Sequence, residues 1–399
     1  GRAEEAITVY DDVLDRFAAA TEPALREQVA NALVNKGNTL RQLGRAEEAI
    51  AVYDDVLDRF AAATEPALRE RVALALVNKG VALEYLGRAK EEIAAYDDVV
   101  DRFAAATEPA LREQVANALV NKGITLKYLG RAEESIAVYD DVLDRFATAM
   151  EPNSREAVAR ALVNKGDTLL SLGHAEEAIA VWDDVVDRFA ATTEPAVREQ
   201  VAGALVSKGN CLFDLAGDLA AAEATYRRGL EIVSDDLFLK ANLAWVLVVG
   251  GRIEAAREIF EQLDGLDPVG RDLLRAGLAL GRDNLGDAFE ALRAALDTGL
   301  DSATSPFFDD LLRLLRLAAG RGHGERMLAW WRTEGLAERY APIHAAFTAF
   351  LKGERFLLDF APEIRQPAEM LLRRLAPRRE AAPPPPPKRR GRPRKRPMS

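Results

Sequence analysis

Apolar positions recur along the chain three or four residues apart. Residues 66–86 place Leu68, Val72, Ala75, Leu76, Leu83 and Leu86 on one helical face. Residues 88–103 do the same with Ala89, Ile93, Tyr96, Val99, Val100 and Phe103. Between such stretches stand punctuating residues. Thr64, Glu65 and Pro66 predict a helix start: a capping hydroxyl, a first-turn acid, and a proline whose missing N–H is spared there. Gly87 predicts a stop, because glycine accepts the left-handed conformation after Leu86. β-branched runs and strict alternation are lacking. The chain therefore reads as all-α, with antiparallel helix hairpins stacked side by side.

The pattern also repeats. Gly-Arg-Ala-Glu-Glu-Ala-Ile starts at Gly1 and Gly44, with variants at Gly87, Gly130 and Gly173, each 43 residues on. Residues 1–43 and 44–86 differ at seven positions. Gly217 follows after 44 because Ala216 is inserted, then Gly251 after 34 and Gly286 after 35. The columns Ala32, Gly37, Leu40, Gly44, Ala49, Tyr53 and Val56 resemble the tetratricopeptide repeat (TPR) signature, and the match recurs from Gly1 to about Leu296. The 43-residue units are similar to the extended repeats of kinesin light chains and of spindle-orientation adaptors. The prominent early Trp of many such repeats is Leu or Asn here, and only Trp182 and Trp245 lie in the repeats.

The resemblance implies a right-handed superhelical solenoid. Small residues let paired helices approach, and an aromatic fills the gap to the next hairpin. Each hairpin buries its apolar stripe only against its neighbours. The organisation expected is long repeats over 1–216, repeats of 34–35 residues over 217–300, a helical C-terminal cap over 301–376, and a disordered Pro-rich basic tail over 377–399. Trp330, Trp331, Phe347 and Phe350 are the expected packing residues of the cap.

Copies differ along few columns. One runs Asn31, Leu74, Asn117, Arg160, Gly203; a second Asn38, Val81, Ile124, Asp167, Asn210. A third runs Arg41, Glu84, Lys127, Leu170, Phe213; a fourth Gln42, Tyr85, Tyr128, Ser171, Asp214. At ~100° per residue these four columns fall within about 100° on the first helix of each hairpin. Packing columns stay fixed while this one stripe diversifies. By resemblance it lines the concave groove where partners dock, and Asn38, Arg41, Tyr85, Lys127, Tyr128 and Asn210 are its candidate contacts. Beside it runs a constant column, Asn35, Asn78, Asn121 and Asn164, with Ser207 in the fifth copy. In the long-repeat adaptors such Asn side chains hold the backbone of an extended peptide. An amide offers a donor and an acceptor, so it pairs with any peptide unit. The competing reading is that these amides bond within or between repeats. The neighbouring Lys36, Lys79, Lys122, Lys165 and Lys208 read as balancing acids on the adjacent helix, ahead of attracting an acidic ligand.

Composition removes most chemistry. One cysteine, Cys211, excludes an internal disulfide framework and a cysteine-rich metal site, and it reads as a small packing residue. Three histidines, His174, His323 and His344, lack ligand spacing. The Asp pairs (Asp54, Asp55, Asp58 and their copies) recur five times, and Asp55 sits four residues before Arg59, so an acidic ridge is read in place of five active sites. Gly320 to Gly324 has no strand before it and no Lys-Ser/Thr after it, and reads as a helix-to-helix turn, not a phosphate loop. No apolar run reaches ~18 residues. The expectation is a non-enzymatic chain with no cofactor, no metal and no membrane partner.

The net charge of −11 divides unevenly. Residues 377–399 hold nine Lys/Arg against one Glu, net +8, which leaves −19 on the 376 residues before them. Pro383–Pro387 favours an extended arm. Arg390, Gly391, Arg392, Pro393 and Arg394 resemble an AT-hook, which implies contact with the narrow minor groove of A·T-rich DNA; other polyanions fit the same charge. Ala/Arg/Asp/Leu-rich usage points to the cytoplasm of a bacterium with a GC-rich genome. The chain starts at Gly1 in mid-pattern, as a fragment does. The function expected is a scaffold binding a protein or peptide segment. The alternatives are a DNA-associated regulator tethered by the tail, or the sensor or scaffold part of a longer multidomain protein.

Overall fold

The computed structural model describes residues 2–146, 152–298 and 308–335, and six residues between 344 and 352. Among them are seventeen α-helices, one π-helical segment and no strand. Two compact units divide the chain, one ending at Arg88 and the other starting at Ala89. The first holds α1 (Arg2–Phe17), α2 (Pro23–Gln42), α3 (Ala46–Phe60) and α4 (Pro66–Tyr85). Here α2 packs on α1 and α3, and α4 on α3 and α2.

The second holds α5 (Ala89–Phe103), α6 (Pro109–Tyr128), α7 (Ala132–Phe146), α8 (Pro152–Ser171), α9 (Ala175–Phe189) and α10 (Pro195–Asn210). The π-helical segment (Cys211–Leu215) follows, then α11 (Leu219–Ile232), α12 (Leu237–Val249), α13 (Ile253–Phe260), α14 (Pro268–Gly281), α15 (Leu285–Thr298), α16 (Phe308–Gly320) and α17 (Gly324–Thr333). From α5 to α15 each helix packs on its sequence neighbour, α17 packs on α16, and the first helices α6, α8, α10, α12, α14 and α16 also touch in that order. The α16–α17 pair thus continues the stacking after the sequence has lost the repeat signature. Trp330 stacks on Phe289 of α15 with ring centroids 4.9 Å apart, and Trp331 and Phe347 are buried. Phe350 and the tail lie outside the described residues.

Helix starts differ from expectation in one respect. Pro66, Pro109 and Pro195 open their helices, but the residue before each is a glutamate and no side chain caps the helix. The threonine supplies a backbone donor instead: the N–H of Thr64 donates to Glu65 Oε2 (3.1 Å), and that of Thr107 to Glu108 Oε2 (3.0 Å). With a proline first, the carboxylate turns back toward the free N–H before it. The same glutamates take an arginine from the preceding hairpin, Arg26 to Glu65 and Arg155 to Glu194 (2.8 Å). Each arginine also covers a phenylalanine, Arg26 over Phe60 and Arg155 over Phe189, both 5.8 Å from the ring centroid. The Thr-Glu-Pro string is therefore a staple between hairpins.

The stops follow the glycine column, with φ of 76° at Gly44 and 68° at Gly87, where any other residue is disfavoured. The last stop departs from the expected ruler. Gly286 lies inside α15, and the left-handed residue of that turn is Asp283 (φ 58°), which an aspartate tolerates better than most. The extra Ala216 has a local consequence too. The chain absorbs the inserted residue as the π-helical turn, in which the N–H of Ala216 reaches Cys211 O (3.2 Å). Cys211 is buried there, so its helix is π where α was expected. Residues 320–324 form the turn between α16 and α17, with Gly324 packed against Leu351.

Candidate functional site

The stripe of varied residues is held by what lies beneath it. In four hairpins the second-helix aromatic rests on a glycine of its own first helix. A Cβ at Gly37 would stand 2.8 Å from Tyr53 Cζ, and one at Gly123 2.7 Å from Tyr139 Cζ. Gly166 faces Trp182 and Gly209 faces Tyr226 in the same way. All four aromatics are fully buried. The ring therefore fills a notch within its hairpin; the resemblance placed it in the gap to the next one. The lysine column pairs with the helix before it: Lys36–Asp11, Lys79–Asp54, Lys122–Asp97, Lys165–Asp140 and Lys208–Asp183, each at 2.5 Å. The second Asp of each pair takes the arginine one turn on, as in Arg59–Asp55 (2.5 Å).

The candidate contacts Asn35 and Tyr85 are exposed, and Asn38, Arg41, Asn78, Asn121, Lys127, Tyr128, Asn164 and Asn210 are half-buried. In the first unit Tyr53 Oη donates to Asn38 Oδ1 (2.8 Å), and the Arg41 charge lies near the same phenol. Burial pushes Tyr53 up to about 12, partly opposed by Arg41, so the phenol stays a donor at neutral pH. No described residue bonds the Asn35 or Asn78 amide.

In the second unit the Asn column is oriented. Arg160 of α8 donates to Asn117 Oδ1 (3.3 Å) and Asn121 Oδ1 (3.1 Å) on α6. The Asn121 oxygen is thereby engaged and its NH₂ left to donate. Asn164 Nδ2 donates to Arg160 O (2.8 Å), which leaves its oxygen to accept. Burial pushes the Asp167 carboxyl up, while the Lys127 charge and hydrogen bonds from Ser207 and Trp182 draw it down.

Asn210 is engaged by two partners. Tyr226 Oη donates to its Oδ1 (2.7 Å), and so does Arg313 Nη2 (3.0 Å), from α16. Arg313 is 4% exposed. Its Nε and Nη2 fork onto Asp214 (3.2 and 2.7 Å), and its Nη1 meets Asn242 Oδ1 (2.7 Å) and Asp310 (3.1 Å). Its guanidinium carbon lies 4.8 Å from the Phe213 ring centroid. Burial opposes the charge on Arg313, but Asp214 and Asp310 outweigh it and its pKa is raised; burial pushes the Asp310 carboxyl up to about 6. Sequence reasoning missed Arg313, although an arginine inside Leu311-Leu312-Arg313-Leu314-Leu315 is a signal: a charge in an apolar run needs a partner.

Stacked helix hairpins, four of them closed by a glycine–aromatic notch, and a stripe along which the copies vary define a solenoid repeat protein. Two profiles described as tetratricopeptide repeat match, one over residues 28–105 and 114–189, the other over 163–236, together just over half of the chain. The chain belongs to the tetratricopeptide repeat family. Such repeats generally mediate protein–protein interaction, bind protein or peptide partners, and are typically non-enzymatic scaffolds.

No curated protein matches the chain. Similar solved structures include a tetratricopeptide repeat protein from Parabacteroides merdae (16% identity, 73% of this chain and 98% of that one, TM-score 0.46). Others are BtubC (BKLC) from P. vanneervenii (17%, 59% and 92%, TM-score 0.49) and the TPR2AB domain of yeast Sti1 in its pHSP90 complex (15%, 67% and 98%, TM-score 0.26). Among the described residues, no helix is long and apolar enough to cross a membrane, and no three His, Cys, Asp or Glu side chains group as metal ligands.

Proposed function

We propose that this chain is a non-enzymatic scaffold that holds an extended segment of a partner protein along the varied stripe of its first helices. The observation that carries this reading is the opposed orientation of Asn121 and Asn164, one left to donate and the other to accept. Those are the two bonds a peptide unit needs, whatever its side chains. The fixed packing columns support it, since they present the same face at each repeat. The test starts with a partner captured on residues 1–376 and titrated against Asn121→Ala and Asn164→Ala. Each change weakens binding by about 5-fold, the equivalent of ~1 kcal/mol per lost hydrogen bond, with the melting temperature held. Unchanged affinity in both variants overturns the reading.

A second reading rests on Arg390 to Arg394, which lie outside the described residues: the tail tethers the scaffold to A·T-rich DNA. If all seven basic residues of 388–396 met phosphates, log K would fall with log salt at a slope of about −6. A mobility-shift titration with an A·T-rich duplex, with and without residues 377–399, decides it. Equal binding by both chains removes the tail from the account.

A further inference from the structure

The Arg313 site is a complete guanidinium receptor. All five N–H bonds are met, by Asp214, Asn210, Asn242 and Asp310, and Phe213 covers the cation. Three of these residues, Asn210, Phe213 and Asp214, belong to the stripe along which the copies vary, and there the fifth copy is unlike the earlier ones: Phe213 stands where they have Arg41, Glu84, Lys127 and Leu170. The π-helical turn carries both Phe213 and Asp214. This stretch of the stripe is thus shaped around an arginine, and the arginine comes from 99 residues further along the same chain.

We propose that this pocket is an arginine-binding subsite of the partner groove, held shut in cis by α16 and opened by a partner that brings an arginine of its own. The inference rests on the groove reading above and adds its regulation. Exchanging one guanidinium for another conserves the hydrogen bonds to Asp214, Asn210 and Asn242 and the ion pair with Asp214; only the bond to Asp310, which α16 itself carries, leaves with the helix. The desolvation of a buried charge, which takes back much of the gain from such a pair, is the same for both. The contest then sets the effective concentration of the incoming arginine against the buried contacts of Leu311, Leu314 and Leu315 that α16 gives up on opening. A partner already seated elsewhere on the stripe presents its arginine at a local concentration comparable with that of α16, whereas a free arginine does not. Arg316, half exposed and donating to Asp214 O (3.3 Å), extends the contact along the same helix.

The test needs no outside partner. A fluorescent peptide of residues 308–320 is titrated against the full wild-type chain and against the full chain carrying Arg313→Ala and Leu314→Asp, which removes the guanidinium and charges a fully buried contact of α16. The opened chain binds the peptide at least about 10-fold more tightly than the wild type. Arg313→Lys in the peptide, or Asp214→Asn added to the opened chain, weakens binding by about 10-fold, because an ammonium cannot make the fork. A helical, cooperatively melting opened chain that ignores the peptide overturns the proposal. So does equal binding of the Arg and Lys peptides, or a wild type that binds as well as the opened chain. If the double variant does not fold, amide exchange is read in the single Arg313→Ala chain. Exchange over 308–320 rising about 10-fold above that of α6–α8 supports the clasp, and unchanged exchange overturns it. Failure of the Asn121 and Asn164 titration would leave this outcome readable, because the peptide assay does not depend on them.

Discussion

Single atoms decide much of this stability. A methyl group on Gly37 has nowhere to go, with the Tyr53 ring fully buried against it, so Gly37→Ala is expected to destabilise by about 1–3 kcal/mol and Tyr53→Ala by about 3–5 kcal/mol. Urea melts of the two variants measure this, and a neutral Gly37→Ala would show that the ring can move. The Tyr139 hydroxyl is buried without an acceptor, while Tyr53 and Tyr226 have Asn38 and Asn210. The equivalent position is Ile124. Ile124→Asn should supply the acceptor and raise stability by ~1 kcal/mol; a lower melting temperature argues that the lost apolar contact outweighs the bond.

At Asp310 the sign runs the other way from an ordinary paired acid. Its folded pKa of about 6 lies above its usual 3.8, so the folded state holds the proton more tightly. Its contribution is present below about pH 4 and is lost as pH rises toward 6. Asp310→Asn should remove that slope from a plot of melting temperature against pH, and an identical plot for both proteins refutes the assignment.

At the scale of the helix, the lysine–aspartate pairs are the testable joints. Lys122 and Asp97 are 23% and 44% exposed, so their coupling is expected at only about 0.5–1 kcal/mol, weakening in salt. A double-mutant cycle of Lys122→Met and Asp97→Asn reads it directly; a coupling that persists in 1 M salt contradicts a screened pair. The helices themselves were legible, because apolar spacing, an opening proline and a closing glycine agree in every long copy. Less legible was what each punctuation residue does. Thr64 looks like a cap in sequence, but the proline after Glu65 changes which N–H is free. The continuation into α16–α17 was hidden because packing there uses Leu311, Leu314, Leu315 and Trp331 in place of the repeat columns. Arg313 was hidden because its partners outside α16 are 71 to 103 residues away, and no local pattern announces a contact of that range.

For the molecule as a whole, charge and repetition matter more than any one site. The net −11 conceals an acidic repeat region in which many carboxylates already have a lysine or arginine, so its surface field is weaker than the count of acids suggests. The same joints carry a further consequence, for how such a gene changes length. Every lysine of that column finds its aspartate twenty-five residues earlier, so an unequal recombination that removes one 43-residue copy leaves each surviving pair intact. Excising residues 44–86 keeps Lys36 with Asp11 and Lys122 with Asp97. The shortened chain is expected to melt as cooperatively as its parent, with helicity per residue unchanged; loss of either would mean that the copies are not interchangeable. Copy number is then a quantity that selection can adjust freely, lengthening or shortening the surface offered to a partner without redesigning a single interface.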